Sequence, residues 1–167
     1  RAARQPRGQL VSQVVDQQSL GVRVSAKGSK EFEIAADPAT VMAAIAAVEE
    51  LPKWAGPYKK ATIEEAYEDG RPKLLRAEVS LVGITDAQLV EYAWDGDRKA
   101  SWRMVESTAQ RVQIGSYTLS ASDKGTKVLF ELELEPKIKM PGFLLKRALG
   151  SALDTGSKEL KKFVENR

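Results

Sequence analysis

The chain of 167 residues has the length of one ordinary domain, and a hydrophobic content of 43% is enough for a sizeable core. It has no cysteine and no histidine, which excludes disulfides, thiolate nucleophiles, Cys/His zinc sites, histidine-ligated haem and every histidine-based catalytic dyad, so no metal or cofactor is expected. The net charge of +3 is unevenly placed: Arg1, Arg4, Arg7, Arg23, Lys27 and Lys30 face Asp16 alone, and the rest of the chain is slightly acidic and offers no nucleic-acid surface.

Residues 1–9 are rich in Arg, Gln and Pro and bury too little to order themselves, which predicts a flexible tail. Leu10, Val11, Val14 and Val15 recur at helical spacing, whereas Val22 and Val24 alternate as in a strand, and both readings stay open. From Lys30 the pattern sharpens. Phe32 and Ile34 alternate with Glu31 and Glu33 in a strand that stops at Asp37-Pro38, a capping residue followed by a helix-opening proline. Val41, Met42, Ile45 and Val48 form the stripe of a short helix; Pro52 breaks it, and Trp54 lies in a second short turn ended by Gly56-Pro57.

Asp69-Gly70, Asp95-Gly96 and Lys124-Gly125 are hairpin signals, each flanked by alternating sequence. Strands are predicted near 59–67, 72–84, 87–94, 99–107, 110–121 and 126–135, with a bulge near Gly115 and Ser116, where the apolar phase passes from Val112 and Ile114 to Tyr117 and Leu119. Short turns require antiparallel pairing. A final helix from Pro141 to about Glu165 carries Leu145, Leu149, Ala152, Gly156, Leu160 and Phe163 at spacings of three or four. The fold class is therefore α+β: a curved antiparallel sheet of about seven strands gripping a long C-terminal helix, with two short helices after the first strand. No apolar run approaches the roughly 20 residues that span a bilayer, and no apolar signal core opens the chain, so a cytoplasmic location is the default expectation.

That order, with Asp37-Pro38-Ala39-Thr40-Val41 leading into Leu51-Pro52-Lys53-Trp54, the turn Glu68-Asp69-Gly70-Arg71-Pro72 and Gly125-Thr126-Lys127-Val128, resembles the START/polyketide cyclase–dehydrase superfamily. This group is also called SRPBCC, helix-grip or Bet v 1-like, and the nearest likeness is to small actinobacterial cyclase/dehydrase-like proteins. The resemblance covers roughly residues 28–165. It implies a cavity between sheet and helix that takes lipids, sterols, polyketides or other apolar molecules. The corresponding division is a basic, flexible extension at 1–24 and a helix-grip ligand-binding domain at 25–167.

Tyr92, Trp94, Trp102, Met104, Tyr117 and Phe130 on the sheet, with Leu145, Leu149, Ala152 and Leu153 on the helix, are the candidate ligand-binding residues. A strongly curved sheet on one helix leaves a gap that either these side chains or a ligand must fill. Tyr92 and Tyr117 offer phenolic hydrogen bonds, and Trp54 either gates the mouth or plugs the space under the short helices. Glu91, Arg103 and Glu106 are the charged candidates. Strict alternation turns the first two outward and leaves Glu106 alone in phase with Trp102 and Met104, as a possible general acid or base. The charged face of the last helix, Lys146, Arg147, Lys158, Glu159, Lys161 and Lys162, reads as a solvated surface. With no second titratable group to pair with Glu106, a non-catalytic binder of a hydrophobic small molecule is favoured, with peripheral membrane contact open. A polyketide cyclase or dehydratase working in the same cavity is the alternative, and a module that docks a protein partner the third reading.

Overall fold

The computed structural model describes residues 11–16, 24–81 and 83–167. The tail expected at 1–9 lies outside the described residues, as does most of the extension expected at 1–24. β1 (Val11–Asp16) is a strand, which decides between the two readings of that segment. It pairs antiparallel with the start of β2 (Val24–Ile34), from Val11 opposite Ser29 to Asp16 opposite Val24.

At the end of β2 the Asp37 carboxylate accepts the Thr40 N–H at 2.8 Å. This satisfies one of the donors a helix start leaves bare, and Pro38 takes the position where no donor is needed. α1 (Pro38–Ala46) then buries Val41, Met42, Ala44 and Ile45. A 3₁₀ turn over Val48–Glu50 leads into α2 (Leu51–Trp54).

Six strands follow: β3 (Tyr58–Ala66), β4 (Pro72–Leu81), β5 (Ile84–Asp95), β6 (Lys99–Ser107), β7 (Gln110–Ser122) and β8 (Gly125–Pro136). Each is antiparallel to its sequence neighbour, and β8 closes back onto β2, giving the sheet order β1-β2-β8-β7-β6-β5-β4-β3. The seven expected strands form one sheet, with β1 added at its edge. Bulges bend the sheet. Val105 has no partner where Leu89 pairs with Glu106 and Val90 with Met104, and Arg111 has none where Gln110 pairs with Pro136 and Val112 with Glu135.

The second bulge corrects the reading of β7. No irregularity occurs at Gly115 and Ser116; pairing with β8 is regular from Val112 to Ser122. Gln113, Gly115, Tyr117 and Leu119 are the buried phase, whereas Ile114 is 48% exposed. Assigning the apolar Val112 and Ile114 to the inside had created a phase shift that the backbone does not make.

The C-terminal helix runs as α3 (Gly142–Asp154), a π turn (Thr155–Glu159) and α4 (Leu160–Glu165). Leu145, Leu149, Leu153, Leu160 and Val164 are its buried stripe. Gly28 lets the helix lie close on β2, since a Cβ there would stand 2.9 Å from Leu153 Cδ1 and 3.1 Å from Leu149 Cδ2. Among the described residues no helix is long and apolar enough to cross a membrane.

Candidate functional site: a cavity under the C-terminal helix

Between helix and sheet lies a cavity of about 140 Å³. Its aromatic wall is Tyr92, Trp102, Tyr117 and Phe130, on four neighbouring strands. Their rings form a chain: Tyr92 to Trp102 at 6.0 Å between centroids, Trp102 to Tyr117 at 5.4 Å, and Tyr117 stacked on Phe130 at 4.6 Å. Two glycines make room for these rings. A Cβ at Gly115 would overlap the Trp102 indole, and one at Gly156 would overlap the Phe130 ring. At Gly156 the helix widens into its π turn, a distortion frequent at functional sites, and the Gly156 carbonyl accepts the Tyr117 hydroxyl at 2.7 Å.

The opposite wall is Ala148, Ser151, Ala152 and Thr155 of the helix, and Trp54, Ala55, Pro57 and Tyr58 come in from the side. Ser151 is exposed and marks the rim. Trp54 both lines the cavity and stacks on Phe163 of α4 at 6.0 Å, so it joins the short helices to the long one beside the opening.

One end of the cavity is polar. Gln88, Gln110 and Gln113 line it and are all buried. Behind Gln88 lies Asp86, only 2% exposed. Its carboxylate accepts the Ser107 hydroxyl at 2.6 Å, the Thr108 N–H and hydroxyl at 2.9 Å each, the Ala109 N–H at 3.0 Å and the Gln88 Nε2 at 2.7 Å. Burial alone would raise its pKa, but the hydrogen bonds from Ser107, Gln88, Thr108 and Ala109 outweigh it and hold Asp86 below the usual aspartate value. A carboxylate can only accept, so the Gln88 nitrogen must face Asp86 and the amide oxygen points away. That oxygen, like the Gln110 Oε1 and the Trp54 Nε1, is buried without a hydrogen-bond partner among the described residues.

The titratable groups lining the cavity are Tyr58, Tyr92 and Tyr117. Burial pushes all three phenols up, Tyr92 and Tyr117 strongly; at Tyr58 the Gln113 side chain opposes the shift and the Asp86 charge adds to it. They are therefore neutral donors over the whole physiological range.

Five of the ten expected site residues, Tyr92, Trp102, Tyr117, Phe130 and Ala152, meet in this cavity. The other five do not line it. Trp94 stacks on Tyr92 from behind and donates its indole N–H to the Pro72 carbonyl at 2.8 Å. Met104 faces a separate surface groove beyond the Val105 bulge. Leu149 and Leu153 are spent on Gly28. Leu145 lines a side pocket of about 70 Å³ that shares Gln110, Leu134 and Ala148 with the cavity. Glu106 is exposed in the same outer groove as Met104, because the bulge at Val105 breaks the alternation that had aligned it with Trp102. Glu91 and Arg103 pair with each other on the outer face at 3.1 Å.

The glutamines and Asp86 are what sequence reasoning missed. A signal was there: counting back by two from Tyr92 and Val90 reaches Gln88 and Asp86, and from Tyr117 reaches Gln113. Polar residues in phase with buried aromatics are the mark of a polar inner site.

This architecture, a bent antiparallel sheet closed by one long helix over a ligand-sized hollow, is that of helix-grip proteins. The chain belongs to the polyketide cyclase / dehydrase and lipid transport family, whose model matches residues 25–165. Among solved structures it is similar to a START superfamily protein from Mycobacterium smegmatis, with 24% identity, 84% of this chain and 97% of that one covered, and a TM-score of 0.77. It is also similar to the Zhui aromatase/cyclase from Streptomyces sp. R1128, with 14% identity, 86% and 95% coverage and a TM-score of 0.71. For Ara h 8.0201 the values are 16%, 86% and 99%, and 0.65. At these identities the likeness establishes the fold alone. No curated protein matches the chain.

Proposed function

We propose that this protein binds an uncharged, mostly apolar small molecule bearing a hydroxyl or N–H donor, without transforming it. The observation that supports this most directly is the pairing of an aromatic wall with the buried, unpartnered Gln88 oxygen at the polar end of one cavity. An unsatisfied buried acceptor costs about 1–3 kcal/mol, which a ligand donor would recover. At the Gln88 and Gln110 oxygens a carboxylate ligand would set acceptor against acceptor, with the Asp86 charge behind Gln88. Among the described residues the titratable lining groups are phenols held protonated, and Asp86 sits behind Gln88 with its carboxylate saturated by hydrogen bonds. Neither provides the acid and base of a cyclase.

The volume, close to the ~150 Å³ of apolar cavities that accept benzene, suits a single ring or a short chain. Binding of phenol or toluene, followed by calorimetry, should occur in the wild type and be lost in Ala152→Trp, whose indole fills the space, while far-UV circular dichroism is unchanged. Equal binding by the filled variant, or none by the wild type, would refute the reading.

A further inference from the structure

Residues 137–147, between β8 and the first turns of α3, read Lys-Ile-Lys-Met-Pro-Gly-Phe-Leu-Leu-Lys-Arg, with four cations and no carboxylate. None of these cations is in an ion pair with a described residue, whereas Lys158, Lys161 and Lys162 farther along the same helix pair with Asp154, Glu165 and Glu159. Lys137 donates to the Ser107 carbonyl at 2.6 Å. Set among these cations are large apolar side chains in water: Phe143 is 67% exposed, Ile138 52% and Leu144 37%. Ile84, at 40%, joins Ile138 and Met140 at the edge of the side pocket that adjoins the cavity.

We propose that this surface docks on an anionic lipid bilayer, with Phe143, Leu144 and Ile138 entering the headgroup–acyl boundary and Lys137, Lys139, Lys146 and Arg147 meeting lipid phosphates and carboxylates. Cations alone would serve an acidic soluble partner, and apolar groups alone a neutral one. Both interleaved in eleven residues fit a surface that is charged outside and apolar a few ångströms deeper. The side pocket then opens toward the lipid, where an apolar ligand is concentrated. The inference is independent of the ligand reading, because vesicle binding measures this surface and probe binding measures the cavity.

Co-sedimentation of the full chain with vesicles tests it. Binding is expected to phosphatidylcholine vesicles containing phosphatidylserine at low salt, to weaken at high salt, and to be far weaker with phosphatidylcholine alone. Each cation near such a surface contributes about fivefold, so Lys139→Glu/Lys146→Glu should lose at least about 25-fold. Phe143→Ser should lose about tenfold. Both changes are at exposed positions and should leave the circular dichroism intact. Ala152→Trp, with its cavity filled, should bind vesicles like the wild type. Absence of binding to the phosphatidylserine vesicles, equal binding to neutral vesicles, wild-type affinity in Phe143→Ser, or equally tight binding to soluble polyglutamate would each overturn the proposal.

Discussion

The aromatic wall and the polar end of the cavity reach a buried state by opposite routes. On the wall, Trp102, Tyr117 and Phe130 satisfy one another, and the demands fall on their neighbours: Gly115 and Gly156 must lack a Cβ, and the helix must open into a π turn to bring a carbonyl to Tyr117. At the polar end, Asp86 is saturated by hydrogen bonds, while Gln88, fixed by it, keeps an unpartnered oxygen. The wall shapes the hollow, and under the proposed function the polar end sets its chemical preference. A site can thus be closely packed at both ends and still leave buried polar atoms unpartnered.

The largest expected effect is on the wall. Gly156→Val places its side chain where the Phe130 ring lies and presses on Tyr117, and overpacking of this kind should destabilise the protein by about 3 kcal/mol in urea unfolding. A change below about 0.5 kcal/mol would mean that the π turn yields freely and the wall is soft.

Asp86→Asn tests the other end and should cost about 2 kcal/mol at neutral pH, since the Thr108 and Ala109 N–H groups would meet an amide instead of a carboxylate. The folded-state pKa of Asp86 is depressed, so its contribution is present above the ordinary aspartate pKa of about 4 and is lost as pH falls through the lower folded value. Urea midpoints should therefore fall less steeply with acidification in the variant than in the wild type. Parallel profiles would show that Asp86 is not the anchor described here.

Gln88→Met gives the smallest and most selective effect. Phenol affinity should drop about fivefold, equivalent to about 1 kcal/mol, while toluene affinity stays level. Equal losses for both probes would assign Gln88 to shape and leave the polar end without a role in recognition.

The difference between the two regions also explains what was legible in the sequence. Alternation of apolar residues along β5, β6, β7 and β8 carried the strand order, and with it Tyr92, Trp102, Tyr117 and Phe130. The same rule misplaced Ile114 inward and Gln113 outward, because it equates apolar with inside, and that equation fails where a cavity needs polar atoms. It also aligned Glu106 with Trp102, because a bulge leaves no trace in the spacing. On the helix, apolar periodicity located Leu145 and Leu149 together with the small Ala152 and Gly156, but the large residues of the stripe were taken up by close packing. The small or polar Ala148, Ser151, Ala152, Thr155 and Gly156 are left to face the hollow. Space in a protein is lined by what does not fill it.

The central claim is that the hollow belongs to a ligand. Native mass spectrometry of the wild type and Ala152→Trp, each equilibrated with phenol, tests it most directly. One bound molecule is expected on the wild type and none on the filled variant. Matching occupancy of the two would contradict the account.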